Sequence, residues 1–203
     1  MNEAVTLAKR LRKAISDERV LAAIASIPRE LFVPASERKR AYANVALPIE
    51  CGQTISQPLV VARMLELLSL GPEDRVLDVG TGSGYHAALL SLLAGEVWTI
   101  ERHPELSARA AEAIDALGLD NVSLIVGDGW EGFPAAAPFD AINVAAAASD
   151  GVPEVLERQL APGGRMVVPV GETEQRLTIT RRLDRGFART ELDGVRFVPL
   201  VRD

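Results

Sequence analysis

The chain has 203 residues, 48% of them hydrophobic, which suits one domain with a sizeable core. Its 22 Lys and Arg against 28 Asp and Glu give a net charge of −6, and only 4% of residues are aromatic, so neither a basic face nor a base-stacking surface for nucleic acid is expected. A charged N-terminus without the apolar stretch of a signal peptide, the lack of any apolar run near the ~20 residues of a membrane helix, and a single cysteine together point to a cytosolic protein with no intrachain disulfide and no thiolate metal cluster.

In chain order, residues 3–26 read as two helices, with Asp17 able to cap the second. IPRELFVPAS (27–36) is punctuated by prolines, and ALPIECGQTISQP (46–58) has little periodicity and is expected to pack as a loop over the sheet's edge. From Arg75 onwards strand and helix alternate. RVLDV (75–79) is a short apolar run ending in an acid, followed by a glycine turn and a helical pattern, GTGSGYHAALLSLLA (80–94). EVWTIE (96–101) is a second strand. Pro104 to Leu117 is a helix with proline in its first turn and Gly118 as its stop. NVSLIVGD (121–128) and APFDAINVAA (137–146) are a third and fourth strand, Pro153 to Leu160 a helix, and RMVVPV (165–170) a fifth strand after the Pro162-Gly163-Gly164 turn. RLTITRRL (176–183) and VRFVPL (195–200) read as two more, antiparallel, with Arg185-Gly186 as a turn signal. This spacing predicts βαβ units, hence a doubly wound α/β fold with a mostly parallel sheet, N-terminal helices and an antiparallel C-terminal strand. One domain is expected over 1–203, with 1–60 contributing helices and a site loop and 61–203 the core.

Asp78-Val79-Gly80-Thr81-Gly82-Ser83-Gly84 places glycines at alternate positions, where a positive φ is permitted and a ligand can approach the backbone. Glu101 ends the second strand 21 residues after Gly80, the offset at which an acid meets ribose hydroxyls in nucleotide-binding βαβ units. The loop is GxGxG, not the GxGxxG of dinucleotide sites, which disfavours an NAD-dependent oxidoreductase. An acid before the turn would oppose a phosphate, whereas the amino group and sulfonium of S-adenosylmethionine want anionic company. Asp128-Gly129, at the carboxyl end of the third strand, is placed to meet an adenine amino group or to make a simple turn. The two histidines, His86 and His103, make no metal-ligand set with the one cysteine, Cys51.

RELFVP (29–34), LPI (47–49), GQTISQP (52–58), VLDVGTGSGY (76–85), IE (100–101), NVSLIVGDGWEGFPAAAPFDAI (121–142), QLAPGGRMVVPVG (159–171) and VRFVPL (195–200) occur in an order that resembles the protein-L-isoaspartate O-methyltransferase family. GQTISQP is the specific part; the glycine loop is shared by many methyltransferases. The resemblance implies a Rossmann-like methyltransferase that methylates the free carboxyl of L-isoaspartyl residues in damaged proteins, so that the ester can close to a succinimide. It implies Ser56 as the active-site residue, with Gln53, Thr54 and Ile55 beside it at the donor and substrate mouth. It likewise assigns Asp78, Gly80, Gly82, Glu101, Arg102, Asp128, Gly129 and Gln175 to S-adenosylmethionine, which leaves as S-adenosylhomocysteine. No nucleic-acid or membrane partner is implied, and a monomer is expected.

A carboxylate is already nucleophilic at neutral pH, so its methylation needs alignment and exclusion of water more than a strong base. Ser56 is therefore read as a hydrogen-bonding positioner. The chain departs from the family pattern at Asn44 (usually Asp), Glu50 (usually Gly) and Ala145 (usually Thr). Glu50 adds a negative charge beside a carboxylate acceptor, which repels it unless paired. The alternatives are a divergent methyltransferase acting on another peptide carboxylate, such as aspartate, and a non-catalytic S-adenosylmethionine-binding protein.

Overall fold

The computed structural model describes residues 3–202; the ends of the expected domain, at residues 1, 2 and 203, lie outside the described residues. Two helices open the chain, α1 (Glu3–Leu11) and α2 (Glu18–Ser26). On α1 the buried residues Ala4, Leu7, Ala8 and Leu11 recur at helical spacing, so one face meets the core. Asp17 caps α2 as expected, its carboxylate accepting from the Arg19 and Val20 N–H groups. After two 3-10 turns comes a hairpin of two-residue strands, β1 (Leu47–Pro48) and β2 (Thr54–Ile55), where a plain loop was expected. It leads into α3 (Pro58–Leu68), which the sequence reading did not single out. Pro58 starts that helix in its first turn, and six of its residues are buried.

The main sheet contains β3 (Arg75–Val79), β4 (Glu96–Glu101), β5 (Val122–Val126), β6 (Phe139–Val144), β7 (Leu160–Val170), β8 (Gln175–Arg182) and β9 (Phe187–Val195). Their spatial order is β5-β4-β3-β6-β7-β8-β9; the first five are parallel, and β8 and β9 return antiparallel. Helices α4 (Tyr85–Ser91), α5 (Pro104–Ala116) and the short α6 (Glu154–Glu157) fill the connections. Side chains alternate between faces: Val76, Val97, Ala141 and Val167 join the apolar cluster shared with α1–α4, while Leu77, Val79, Ile100, Ile142 and Val168 join a second cluster on the other face. That second face is covered by α6 and the irregular segment around Phe133 and Ala136, a thinner layer than a fully doubly wound fold has.

Three boundaries differ from expectation. The helix read over 153–160 is only Glu154–Glu157, because β7 starts at Leu160 and runs through Pro162-Gly163-Gly164 with a register shift opposite Phe139–Ala141. The last strand is Phe187–Val195, not 195–200; it is an edge strand whose mostly exposed side chains carry no apolar pattern. Residues 196–200 instead form a strap that bridges in parallel, at Pro199, to Ala147 just beyond the end of β6.

The sheet order creates the site. The chain leaves β3 through β4 and β5 on one side and comes back to β6 on the other, so the connections that follow β3 and β6 part at the carboxyl ends of these two paired strands. Ligands of open α/β sheets bind at such a switch point.

Candidate active site at the carboxyl end of the sheet

The glycine loop follows β3 at that point. Gly80, Gly82 and Gly84 have φ of 91°, 52° and 87°, the left-handed region that side-chained residues avoid. Gly84 has a second reason: a Cβ there would stand 2.9 Å from the Ala110 Cβ, so the loop could not lie against α5. Glu101, nearly buried at the end of β4, accepts the Gly82 N–H at 2.9 Å and the His103 N–H at 3.0 Å. One carboxylate thus fixes the loop and the turn into α5.

Asp78 sits below this loop and is fully buried. Its oxygens accept from Thr99 Oγ1 at 2.8 Å and Asn143 Nδ2 at 2.7 Å, tying β3 to both neighbours, and Thr99 also shares a hydrogen bond with Thr81. Burial raises the Asp78 pKa to about 6, with the Glu101 charge adding to it, against those two hydrogen bonds. The sequence reading placed Asp78 against the donor's cationic end; the structure places it underneath, as a brace.

Two cavities meet here. The first, about 110 Å³, is lined by Gln53, Thr54, Gly80, Gly82, Glu101, Arg102, His103, Gly129 and Ala145, with Val198 to Val201 across its outer side. The second is an open groove of about 720 Å³ that includes Thr54, Ser56, Gln57, Val60, Gln175 and Val198. Thr54 and Val198 belong to both walls. The residues expected at the donor therefore divide. Gln53, Thr54, Gly80, Gly82, Glu101, Arg102 and Gly129 surround the first cavity; Ser56 and Gln175 lie in the groove; Ile55 is buried. Asp128 accepts from the Trp130 N–H at 2.8 Å in the turn, leaving Gly129 on the wall. A Cβ on Gly129 would come within 2.7 Å of Val79 Cγ1, so only glycine lets this wall pass close to β3.

Gln175 was expected at the donor and instead clips the strap. Its Nε2 donates to the Phe197 carbonyl at 3.1 Å and its Oε1 accepts the Phe197 N–H at 2.6 Å, the pattern of a missing strand neighbour. Ala147 holds the strap one step further on, donating to the Val198 carbonyl and accepting from the Leu200 N–H.

The hairpin carrying Ser56 is anchored by Arg29, which the sequence reading named only within RELFVP. Arg29 is fully buried; Nε donates to the Ala41 carbonyl at 2.7 Å, Nη2 to the Ser56 carbonyl at 3.0 Å, and the guanidinium lies 5.0 Å from the Tyr85 ring centre. Burial lowers its pKa to about 10, so it stays charged at neutral pH. The three departures from the family pattern also find places. Asn44 Oδ1 accepts the Leu59 N–H at the start of α3, a task needing an acceptor and no charge. Glu50 pairs with Arg109 of α5 across the glycine loop, and Ala145 donates its N–H to the Val79 carbonyl on the first cavity's wall. Cys51 is exposed, with φ 54°, in the turn beside Glu50. Among the described residues no cluster of His, Cys, Asp and Glu could hold a metal ion, and no helix is long and apolar enough to cross a membrane.

The comparisons agree with this architecture. The family described as Protein-L-isoaspartate(D-aspartate) O-methyltransferase (PCMT) matches residues 1–203. A protein-L-isoaspartate O-methyltransferase of Koribacter versatilis is 56% identical over 191 residues, covering 94% of this chain and 86% of that one. Among solved structures, a protein-L-isoaspartate O-methyltransferase superposes with a TM-score of 0.88 at 30% identity, covering 98% of this chain and 65% of that one. A Plasmodium falciparum protein described as the same enzyme, in complex with S-adenosyl-L-homocysteine, gives 0.85 at 26% identity with both chains fully covered.

Proposed function

The chain belongs to the protein-L-isoaspartate(D-aspartate) O-methyltransferase family, and from that premise we propose how its own residues divide the reaction. The activity is S-adenosylmethionine-dependent methylation of the free carboxyl of L-isoaspartyl residues in damaged proteins. The observation that carries the division of roles is the pair of cavities with Thr54 and Val198 in common.

The smaller cavity fits the donor by its chemistry: glycine backbone for close approach, Glu101 for ribose hydroxyls, and Arg102 and Gly129 at its rim. Leu200 and Val201 form part of this cavity's apolar wall. When bound, S-adenosylmethionine supplies a methyl on a sulfonium; the acceptor oxygen forms the new C–O bond as the C–S bond breaks. Glu101 keeps acceptor capacity beyond its two backbone bonds, because a carboxylate offers about four lone-pair sites. Asp78 keeps β3, β4 and β6 in register beneath the loop.

The groove takes the acceptor. Ser56 donates a hydrogen bond that orients the carboxylate without protonating it, and Arg29 fixes the Ser56 backbone from behind. No base is needed, and His86 is not available as one: burial first, and the Arg29 charge second, depress its pKa to about 4. The reading of another carboxylate as acceptor drew on Asn44, Glu50 and Ala145; of these only Glu50 adds a charge, and its pairing with Arg109 offsets that charge. We read the protein as a cytosolic monomer without nucleic-acid or membrane partners, in keeping with its net charge of −6.

The test is methyl transfer to two peptides that differ only in L-isoaspartate or L-aspartate at one position. Label on the isoaspartyl peptide alone is expected; equal label on both, or none on either, overturns the assignment. In the same assay Ser56→Ala is expected to lower kcat by about 10- to 100-fold while donor affinity stays within about two-fold. Loss of donor binding would instead move Ser56 to the first cavity.

A further inference from the structure

The acceptor groove carries more charge than a single carboxylate requires. Three ionic residues line it: Glu174, Arg176 and Arg196. Arg176 is engaged, its Nη1 donating to the Leu192 carbonyl at 3.2 Å. Arg196 is exposed and has neither an ion pair nor a hydrogen bond among the described residues. Its backbone position is nevertheless fixed. Val195 pairs with Gln175 at the end of β9, and Phe197 is held by the Gln175 side chain.

We propose that Arg196 is a specificity-determining residue that engages a second carboxylate of the substrate chain, an acidic side chain close in sequence to the isoaspartyl residue. The inference rests on the groove being the acceptor site. With a net charge of −6 the protein repels acidic chains at long range, so an acidic segment is accepted only where a local cation compensates. Arg196 can do so without breaking an existing ion pair. Its partner is not the reacting carboxylate: a guanidinium there would withdraw electron density from the oxygen that must attack, whereas the neutral Ser56 hydroxyl orients it with less loss of nucleophilicity. Glu174 in the same groove repels acids near it, so the preference is confined to substrate positions beside Arg196.

The experiment uses isoaspartyl peptides carrying Glu, Gln or Lys at one flanking position, placed in turn one or two residues to either side. They are assayed with the wild-type protein, Arg196→Gln and Arg196→Glu at low and high salt. For at least one position, the wild-type KM is expected to be about five-fold lower for the Glu peptide than for the Gln peptide at low salt, a difference that high salt erodes. Arg196→Gln collapses that ratio towards one, and Arg196→Glu inverts it in favour of Lys, with kcat ratios changing less than KM ratios. The same ratios in all three proteins would overturn the inference while leaving the activity intact. Failure of the wild-type protein to methylate any isoaspartyl peptide overturns the activity itself, and this inference with it.

Discussion

Glu101 and Ser56 face adjoining cavities, but they are held in place by different means. Glu101 ends a strand with partners on both sides, above a fully buried Asp78 that bonds to each neighbouring strand. Ser56 follows a two-residue strand in a hairpin outside the main sheet, fixed by side chains from elsewhere: Arg29 to its carbonyl, Asn44 to the start of α3, Glu50 to Arg109. The donor side is thus built from the sheet's own hydrogen bonds and is inseparable from folding. The acceptor side is attached by clips, each of which can be altered with the sheet left whole. In such a design the donor chemistry stays constant while acceptor preference can change.

Changes on the donor side should therefore register in stability as well as function. Asp78 and His86 are the sharpest test, because burial acts on them in opposite senses. With its folded pKa raised to about 6, Asp78 favours the folded state at low pH, and that contribution is lost as pH rises from about 4 to 6, roughly 3 kcal/mol in all. His86, held neutral with a folded pKa of about 4, contributes above its ordinary pKa and loses that contribution as pH falls from about 6.5 to 4, again roughly 3 kcal/mol. The two slopes oppose each other in one window. Asp78→Asn should leave a protein that loses stability on acidification, and His86→Leu one that gains it, read from denaturant midpoints between pH 4 and 7. Identical pH profiles for both variants and the wild type would show that neither group is desolvated as described.

A somewhat smaller effect is expected from Glu101→Ala, which removes a charged acceptor of several hydrogen bonds. Donor affinity should fall about 100-fold by calorimetry. A fall of less than about five-fold would mean that the backbone of the loop, not the carboxylate, carries the ribose. The smallest effect belongs to the Glu50–Arg109 clip, whose side chains are 40% and 49% exposed. Half-exposed pairs contribute about 0–1 kcal/mol, so Glu50→Ala or Arg109→Ala should raise the acceptor KM no more than about five-fold. The double variant should do no worse than either single one. Additive losses would show that the pair does not act as one clasp.

The same contrast explains what was legible from the residues alone. The parallel core showed itself because β3, β4 and β6 are apolar runs set at βαβ spacing, and the glycine loop with Glu101 follows directly from them. The buried setting of Asp78 was not legible: its two bonding partners, Thr99 and Asn143, lie 21 and 65 residues away, and nothing local says that it braces both neighbouring strands. Arg29 was not legible as a buried residue because an arginine between Pro28 and Glu30 reads like any surface arginine. β9 escaped because an exposed edge strand has no apolar face to impose alternation. Gln175 sits where a site residue was expected, yet its amide is spent on the backbone of a segment 22 residues further along.

Val198 touches both cavities, and the strap that bears it is hydrogen-bonded through Ala147 and Gln175, with Phe197 and Leu200 packed against the two apolar clusters. Anything that shifts this segment to admit a nucleoside also reshapes the wall that a peptide meets. Two ligands that share a movable wall are thermodynamically linked: the work that the first to bind does in moving it is spared the second. Linkage is reciprocal, so the factor by which donor occupancy changes peptide affinity must equal the factor by which peptide changes donor affinity.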